Sequence, residues 1–411
     1  MKILIINAGS STIKFEVFDA DEADMHMIIN GEISKIGEAS GGSIAYTLHN
    51  GEKHEQKKEA KDHAEAFSHI LKLLTDPNHN ILKDYKKDLL LIGHRVVHGG
   101  EEFLKPVVID EPVLQAIENL GQLAPLHNPI NAKGIRESMK VFEHVPQVAA
   151  FDTSFHVRSL PPIAYRYALP PMASKKVRRY GFHGTSHEFV SRRAAKLAMK
   201  NLEESNLITL HLGNGCSACA IRNGKSIDTS MGLTPLEGLV MGSRSGDLDP
   251  AIVTHLMTNA GETMDPFQTE KLLNRESGLK GLCGSNDMRE VIKKMNSGDE
   301  NAKLAFDLFC YRIQKYVGSY FVALNGCDAL VFTAGIGEHS HEVRSCVCSG
   351  LHSLGIFMDE EANQKVTKEN EETWVIHAPN SKVKIFVIPT NEELEIAKQS
   401  LHALKEHQGQ K

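Results

Sequence analysis

The chain has 411 residues, a length that accommodates two or three domains of ordinary size. Hydrophobic residues make up 41% and charged residues 24%, as in globular proteins that form a core. The formal net charge of −6 provides no broad cationic surface of the kind that binds nucleic acid or an anionic membrane. No apolar run reaches the roughly 18 residues of a membrane span, and seven cysteines, an odd number, do not suggest a disulfide framework. We therefore expect a cytoplasmic enzyme.

The N-terminal segment, Lys2 to Asp19, predicts a β-hairpin. Ile3 to Ile6 form the apolar run of a buried strand, and Phe15 to Phe18 continue in a second strand. Between the two strands lie small or polar residues, from position 7 to position 12. Such a turn lets backbone N–H groups approach a phosphate, because glycine has no Cβ in the way.

Further along the first half, a lysine- and glutamate-rich stretch from 51 to 61 predicts a solvated loop. Helical spacing of apolar residues from Ala64 to Leu74 predicts a helix. Leu89 to Val97 predicts a buried strand that ends in a turn at 98–100. Residues 149–153 again have strand character, and we place the main domain boundary there.

The second half repeats the first arrangement. Leu207 to Leu212 predicts a strand, 213–217 a turn and Ala218 to Ile221 a return strand, which suggests two structurally related halves. A third glycine turn, Ala334 to Glu338, follows the predicted strand Ala329 to Thr333. Near the end of the chain, a strand from Val383 to Ile388 precedes a helix that opens at Asn391 with acidic residues in its first turn.

Three such turns, with Lys14 just downstream of the first, favour a nucleotide-phosphate site over three ordinary hairpins. The sequence contains neither the G-x-x-x-x-G-K-[ST] string of a P-loop nor a strand-linked G-x-G-x-x-G.

Two arginines are candidates for binding an anion. Arg95 lies among valines at the end of a predicted buried strand, where burial requires an anionic partner, and Arg244 lies in a glycine- and serine-rich loop.

Metal and thiol chemistry are weaker interpretations. His183 and His187 stand four apart, but the pair lacks a HExxH string and an obvious third ligand for zinc. Cys216 and Cys219 have C-x-x-C spacing across a hairpin turn, without a second pair. We interpret these cysteines, and likewise the pair at 346 and 348, as small residues near turns.

Ten strings in this order resemble the acetokinase family of the acetate and sugar kinase/Hsp70/actin superfamily. They are Asn7–Lys14 (NAGSSTIK), His94–Gly100 (HRVVHGG), Phe151–His156 (FDTSFH), Tyr180–His187 (YGFHGTSH), His211–Ser217 (HLGNGCS), Ser230–Gly238 (SMGLTPLEG), Gly242–Pro250 (GSRSGDLDP), Asp287–Glu290 (DMRE), Gly335–Ser340 (GIGEHS) and Thr390–Ala397 (TNEELEIA). Three positions depart from the family's usual residues: Thr12, Ser154 and Cys216. The Cys216 thiol is a weaker hydrogen-bond partner than the usual serine.

The resemblance implies an α/β fold of two RNase H-like (actin-like ATPase) domains with a central cleft. The expected N-terminal domain comprises residues 1–150 plus about 388–411, the returning C-terminal helix. The expected C-terminal domain, 151–387, binds nucleotide and forms the dimer interface.

The resemblance also implies the activity: reversible phosphoryl transfer from ATP to acetate, giving acetyl phosphate and ADP, in acetyl-CoA/acetate metabolism. It implies Mg²⁺, with Mn²⁺ as a substitute, and a homodimer. Two alternatives stay open. A propionate kinase would share nearly every string, and an actin- or Hsp70-like ATPase would share the fold.

Residue roles follow from the resemblance, position by position. The implied catalytic residues are Asp152, His183 and Arg244. The implied substrate-binding residues are Arg95, Val97, Leu126, His127, Phe182 and Pro235. The implied ATP-binding residues are Lys14, His211, Leu212, Gly213, Asn214, Gly215, Asp287, Met288, Arg289, Gly335, Ile336, Gly337, Glu338 and His339. The implied Mg²⁺-binding residues are Asn7 and Glu392.

Overall fold

The structure is a computed structural model that describes residues 1–20, 25–38, 40–171, 177–258, 263–366 and 373–409. The chain divides into two compact units. The first comprises Met1–Ser154 together with Asn391–Lys411, and the second comprises Phe155–Thr390. Within the described ranges, every helix is too short or too polar to cross a membrane.

The first unit is built on an eight-stranded sheet. Its strands are β1 Lys2–Ala8, β2 Ile13–Asp19, β3 His26–Ser34, β4 Ser43–Leu48, β5 Lys53–Lys57, β6 Leu89–Val96, β7 Val107–Val108 and β8 Gln147–Phe151. Its helices are α1 His63–Leu74, α2 Tyr85–Asp88, α3 Glu111–Asn119, α4 Asn128–Val141 and the C-terminal helix Glu392–Gly409, with a 3-10 turn at Leu120–Gln122.

The strand order is β5-β4-β3-β2-β1-β6-β8-β7. The strands from β1 to β5 pair antiparallel, whereas β1, β6 and β8 run parallel to one another. The predicted hairpin over β1 and β2 is confirmed. The predicted loop at 51–61 is wrong, because β5 pairs with β4 as an exposed edge strand whose charged side chains face solvent.

Side chains of β1 alternate between two cores, which explains its continuous apolar run. Leu4 and Ile6 join the core under α1, and Ile3 and Ile5 join the core under the C-terminal helix. That helix packs closely onto β6 at Gly93, where an added Cβ would lie 2.7 Å from Ile5 Cδ1 and 2.8 Å from Ser400 Oγ. Any larger residue at this contact would have to displace these side chains, and the last helix of the chain completes the first unit.

The second unit is built on a six-stranded sheet. Its strands are β9 Asn206–Leu212, β10 Cys216–Arg222, β11 Lys225–Thr229, β12 Ala329–Thr333, β13 Trp374–Val375 and β14 Lys384–Val387. Its helices, beginning with one that starts at Ser154, are α5 Ser154–Val157, α6 Pro162–Tyr165, α7 Gly184–Leu197, α8 Ala251–Thr258, α9 Pro266–Arg275, α10 Gly278–Cys283, α11 Met288–Asn296, α12 Glu300–Leu324, α13 Ala334–His339, α14 His341–Ser349 and α15 Glu360–Gln364. Short 3-10 turns lie at Leu202–Glu204 and His352–Leu354.

The two sheets share one plan, with three antiparallel strands followed by two parallel ones. In the second sheet the order is β11-β10-β9-β12-β14-β13, with β9, β12 and β14 parallel. This order matches β3-β2-β1-β6-β8 of the first sheet. The predicted hairpin over β9 and β10 is present, and the expectation of two related α/β halves is confirmed. The predicted turn from Ala334 to Glu338 is instead the short helix α13.

Candidate active site

In the first unit, two charged side chains lie at the ends of neighbouring parallel strands. Arg95 lies near the end of β6, and Asp152 directly follows β8, so the shared sheet edge brings them together. Arg95 Nη2 donates to Asp152 Oδ2 over 3.0 Å, and Arg95 Nε lies 3.7 Å from Glu392 Oε2. Asp152 is only 1% exposed. Its carboxylate, followed by that of Glu392, raises the pKa of Arg95, so this guanidinium stays charged.

The loop after β6 is held by polar side chains that sequence reasoning missed. Asn131 Oδ1 accepts from the backbone N–H of Val97 at 3.1 Å. Asn128 bonds both backbone groups of His98, accepting at 3.0 Å and donating at 2.9 Å. Thr153 Oγ1 accepts from the next amide of the loop at 3.0 Å. The sequence feature that could have identified Asn128 and Asn131 is their spacing, three apart on the first turn of α4.

The other substrate-binding candidates of this unit differ in exposure. Val97 is buried, whereas Leu126 is 52% exposed, an unusual position for a large apolar side chain. His127 occupies the position just before the first residue of α4. The structure thus places Leu126 and His127 together at the start of the helix whose asparagines support the Val97 loop.

The end of the first hairpin brings Asn7 opposite Lys14 in the register of β1 and β2. Lys14 is exposed and lies 3.8 Å from Glu32. Burial and the neighbouring Glu392 carboxylate raise the pKa of Glu393, while Arg95 and Lys14 lower it. These charged groups therefore lie within electrostatic reach of one another around the start of the C-terminal helix.

In the second unit, His183 is fixed by its backbone and by two neighbours. It lies directly before α7 with a left-handed φ of 57°. Its Nδ1 lies 2.8 Å from Ser217 Oγ, and its ring stacks on His211 with centroids 4.0 Å apart. Phe182, just before it, is buried, and its carbonyl accepts from His156 Nε2 at 3.0 Å.

A hydroxyl network supports this stacked pair. Ser217 Oγ also lies 2.7 Å from His187 Nε2, and His187 Nδ1 lies 2.7 Å from Thr209 Oγ1. Burial lowers the pKa of His187 well below its usual range, so its ring is neutral. His187 therefore orients the Ser217 hydroxyl, and that hydroxyl in turn orients the His183 ring. Among the described residues, no three His, Cys, Asp or Glu side chains are grouped so that they could hold a metal ion.

Arg244 is half-buried and points its Nη1 toward polar groups that carry no charge, the Pro235 carbonyl oxygen at 3.4 Å and Met241 Sδ at 3.8 Å. Burial lowers its pKa. Within the described part of the chain, no carboxylate forms an ion pair with it. Taking a guanidinium out of water without a counter-ion is costly, so this side chain is suited to bind an anion.

The turn between β9 and β10 approaches both Arg244 and His183. A Cβ added to Gly215 would lie 3.4 Å from Arg244 Nη1 and 3.5 Å from His183 Nε2, so this turn lies within van der Waals reach of both side chains. The loop that carries Arg244 is tied to the same turn, because Gly242 N donates to Asn214 O at 3.0 Å.

A pocket of about 800 Å³ opens beside this turn. Pockets of this size accommodate ligands as large as a nucleotide. Eight of the predicted ATP-binding residues line it: Gly213, Asn214, Asp287, Met288, Arg289, Gly335, Ile336 and His339. Five lining residues were missed by sequence reasoning: Asn286, Ile292, Ser340, His341 and Glu342. Most of these lie at the ends of α11 and α14, which only the folded chain brings together.

Other predicted ATP-binding residues of this unit do not line the pocket: His211, Leu212, Gly215, Gly337 and Glu338. Glu338 instead holds the backbone around it. Its Oε1 accepts from the amides of Ala334 at 2.7 Å and Thr390 at 3.1 Å. Ala334 has a left-handed φ of 63°, so this carboxylate stabilises an unfavourable backbone conformation at the start of α13.

A charged pair lies at the rim of the pocket. Asp287 caps α11 and pairs bidentately with the exposed Arg289, whose Nη2 lies 2.5 Å from Asp287 Oδ2.

The Cys216 thiol is buried, which raises its pKa to about 12, and it donates to the Gly213 carbonyl at 3.1 Å. A neutral Cys216 therefore serves the turn as a hydrogen-bond donor, as a serine would.

Comparison with known proteins assigns the family. A model of the acetokinase family matches residues 2–398. The chain belongs to the acetokinase family. It is 47% identical over 408 residues to an acetate kinase of Campylobacter concisus, covering 99% of both chains. It is 47% identical over 402 residues to an acetate kinase of Thermotoga maritima, covering 97% of both.

Solved structures agree with this assignment. The crystal structure of Porphyromonas gingivalis acetate kinase matches with a TM-score of 0.90 and 41% identity, over 98% of this chain and 99% of that one. A propionate kinase from Francisella tularensis matches with a TM-score of 0.88 at the same identity and coverage. The acetokinase-family chain is thus a kinase that uses ATP, with the actin-like ATPase fold expected from its sequence.

Proposed function

We propose that this acetokinase-family enzyme transfers the γ-phosphoryl group of ATP reversibly to acetate, forming acetyl phosphate and ADP, in acetyl-CoA/acetate metabolism. One observation carries the proposal: the β9–β10 turn presents Gly213 and Asn214 to the large pocket and Gly215 to Arg244 and His183. A nucleotide bound in the pocket would extend its phosphates along this turn toward the Arg244 guanidinium and the His183 ring.

The chemistry of the acceptor explains this choice of residues. An acetate carboxylate is already ionised at neutral pH, so no base must remove a proton before attack. The barrier is instead the repulsion between an anion and a polyanionic triphosphate. We propose that Arg244 and His183 stabilise the charge that spreads over the equatorial oxygens of the transferred phosphoryl group. The Ser217 hydrogen bond keeps the His183 ring in one orientation during this step.

We propose that Arg95 binds the acetate carboxylate. Its Nη2 is engaged by Asp152, while its Nε is buried, lies 3.7 Å from Glu392 Oε2 and makes no hydrogen bond among the described residues. A buried N–H of this kind is costly unless a ligand accepts from it. Asp152, buried and ion-paired, orients Arg95 in this proposal and does not act as a base. His127, at the start of α4, is proposed as a further active-site histidine.

The residues proposed to select for the acetate methyl group are Val97, Leu126, Phe182 and Pro235. One methylene in an apolar site changes transition-state binding by about 1–3 kcal/mol. Propionate kinase therefore stays the second candidate, supported by the equal identity of 41% to the Francisella tularensis and Porphyromonas gingivalis proteins.

For the divalent cation, we propose Mg²⁺, replaceable by Mn²⁺, near Asn7 and Glu392. Amide and carboxylate oxygens are the donors that Mg²⁺ prefers. The residues fit a cation for a second reason: Glu392 and Glu393 are adjacent carboxylates, and burial, followed by the Glu392 charge, raises the pKa of Glu393. When bound, Mg²⁺ would neutralise phosphate charge. Lys14, opposite Asn7, is proposed to contact nucleotide phosphate.

We also propose a cytoplasmic homodimer formed through the second unit. Leu304, Tyr311 and Val322 are 55%, 57% and 76% exposed and repeat at helical spacing along one face of α12. All seven cysteines are free thiols, as expected in a reducing compartment. Val322→Glu should shift the species measured by light scattering from dimer to monomer.

The test of function is a hydroxamate assay with acetate, propionate and butyrate. An acyl phosphate reacts with hydroxylamine, so acetate plus ATP and Mg²⁺ should yield acetohydroxamate in proportion to the ADP formed. A higher kcat/KM for propionate would favour the propionate kinase alternative. ATP hydrolysis without any hydroxamate would contradict both and favour an actin- or Hsp70-like ATPase.

A further inference from the structure

One carboxylate closes the loop that carries Arg244. We define the Arg244 loop as residues 238–247. Asp247 Oδ1 accepts from the backbone N–H of Gly238 at 2.8 Å, and the backbone N–H of Asp247 donates to the Gly238 carbonyl at 2.9 Å. Two hydrogen bonds therefore join the first and last residues of this loop. One of them depends on a side chain that the proposed chemistry does not use.

The backbone is tightly packed where the loop closes. Gly246 has a left-handed φ of 68°, and a Cβ added there would lie 2.5 Å from the carbonyl oxygens of both Gly238 and Leu239. A side chain at position 246 would displace this backbone, so the two ends of the loop pack backbone against backbone. The position of Asp247 is therefore coupled to the path of the whole loop.

Tyr316 of α12 holds the other oxygen of the same carboxylate. Its hydroxyl donates to Asp247 Oδ2 at 2.7 Å. Burial, followed by the Asp247 charge, raises the pKa of Tyr316 well above its usual value, so the phenol keeps its proton and remains a donor. α12 extends over 25 residues, with one side buried in the second unit. The Arg244 loop is thus anchored at Asp247 to a long, well-packed helix.

The Arg244 side chain is held weakly by its immediate neighbours. Its Nη1 lies 3.4 Å from the Pro235 carbonyl oxygen and 3.8 Å from Met241 Sδ. Contacts of this length are at the weak end of hydrogen bonding. The direction of the guanidinium therefore depends mainly on where the loop backbone lies.

We propose that Asp247 and Tyr316 are positioning residues that direct the Arg244 guanidinium toward the transferred phosphoryl group. This inference rests on the proposed role of Arg244. The Tyr316 hydroxyl fixes Asp247, Asp247 fixes the closure of the loop, and the loop carries Arg244. A displacement of about 1 Å at a reacting group can lower the rate by about 10²-fold, so the loss of this anchor should be visible in kcat.

Tyr320, one turn further along α12, offers a matched control. Its ring lies edge to face with that of Tyr316, with centroids 5.6 Å apart. It is buried, and its hydroxyl has no hydrogen-bond partner among the residues that the structure describes. Tyr320→Phe therefore removes a hydroxyl from the same helix without removing a hydrogen bond, whereas Tyr316→Phe removes both.

The first experiment compares these two variants of the full-length protein in the hydroxamate assay with acetate, ATP and Mg²⁺. Tyr316→Phe should lower kcat by up to about 10²-fold while the KM values for ATP and acetate stay unchanged, because Arg244 is proposed to act on the transferred group. Tyr320→Phe should keep the parent kcat. Thermal unfolding is measured for both. A parent-like kcat in Tyr316→Phe, or an equal loss in Tyr320→Phe, would overturn the proposal.

A double-mutant cycle separates positioning from general structural damage. If the Tyr316 hydroxyl acts through Arg244, Tyr316→Phe should cause no further loss of kcat in an Arg244→Ala background. Structural damage would instead lower kcat by the same factor in both backgrounds, and that result would refute the assignment. Parent-like activity in Arg244→Ala alone would contradict the proposed role of Arg244 itself, a different outcome from the failure of Tyr316→Phe.

Asp247→Ala tests the middle link of this chain of contacts. The variant removes the acceptor of both Gly238 N and the Tyr316 hydroxyl, so its loss of kcat should equal or exceed that of Tyr316→Phe. Adding Tyr316→Phe to Asp247→Ala should change kcat no further, because the hydroxyl has then lost its acceptor. A second, independent loss in that double variant would show that Tyr316 does not act through Asp247.

Discussion

The guanidinium of Arg95 donates to the carboxylate of Asp152, 57 residues later in the chain, over 3.0 Å between Nη2 and Oδ2. The pair exists because β6 and β8 run parallel and end at the same sheet edge. Removing one partner of a largely buried ion pair leaves an uncompensated charge, which costs more than the pair contributes. Substitutions at either residue should therefore affect both local structure and the bound anion.

Asp152→Asn tests whether this carboxylate orients its partner or acts as a base. If it orients Arg95, the variant should lose rate uniformly across pH and keep the acidic limb of the kcat profile. The measurement is kcat against pH, from 5 to 9, with saturating acetate and ATP. Disappearance of an acidic limb in the variant would instead show that Asp152 accepts a proton.

Arg244→Ala should lower kcat/KM by about 10²-fold or more, because loss of a single preorganised donor costs roughly 2.7–4 kcal/mol in the transition state. The measurement is the steady-state hydroxamate assay. Arg136→Ala is the control, since this exposed arginine pairs with Glu111 and Glu118 on the surface of the first unit. Parent-like activity in the Arg244 variant would remove this residue from the reaction.

Ser217→Ala removes a hydroxyl that bonds both His183 and His187. A hydroxyl has one proton, so it donates to one ring and accepts from the other, which selects the tautomer of each. We expect kcat to fall by up to about 10²-fold, the lower end of the loss on removing one preorganised donor, while the KM for ATP stays unchanged. Thermal unfolding is measured alongside. A kcat loss accompanied by a matching rise in the KM for ATP would argue against a positioning role.

Glu392→Ala should raise the Mg²⁺ concentration required for half-maximal rate while leaving the fold intact, because the proposed site loses a carboxylate oxygen. A Mg²⁺ titration at fixed ATP provides the test. Glu406→Ala, on the same helix, is the control, since that exposed carboxylate pairs with Lys105 at 2.6 Å. An unchanged Mg²⁺ requirement in Glu392→Ala would place the cation elsewhere.

Stability should fall as pH drops from about 6.5 toward 4. Burial lowers the pKa of both His94 and His98 from 6.5 to about 4, so in this range the unfolded chain binds more protons than the folded one. At the acidic end of this range, proton binding by each of these histidines in the unfolded chain lowers the free energy of unfolding by up to about 3 kcal/mol. Urea unfolding at several pH values measures this slope.

His98→Asn should flatten that dependence, since an asparagine oxygen can replace the Nδ1 that accepts from Gly100 N at 2.9 Å. His402→Asn, at an exposed position of the C-terminal helix, is the control and should leave the slope unchanged. An equal pH dependence in His98→Asn and the parent protein would show that His98 does not bind its proton mainly in the unfolded state.

Much of the architecture was determined by local sequence. The apolar run from Ile3 to Ile6 and the small residues after it predicted the first hairpin, and the equivalent pattern from Leu207 predicted the second. Buried strands and tight turns have strong local preferences, so these elements could be identified without tertiary information. The ordered family strings likewise determined the family and the enzyme class.

Tertiary structure decided what depends on partners distant in the chain. The charged segment of β5 becomes a strand because β4 offers it an edge, although its own residues favour solvent. Asn128 and Asn131 are ordinary helix residues until folding brings the Val97 loop against them. The pocket lining at Ser340–Glu342 comes from a helix that meets the other lining segments only in the folded unit. Propensity and local pattern act over a few residues, whereas these contacts join segments separated by tens of residues, where only packing and strand pairing determine the neighbours.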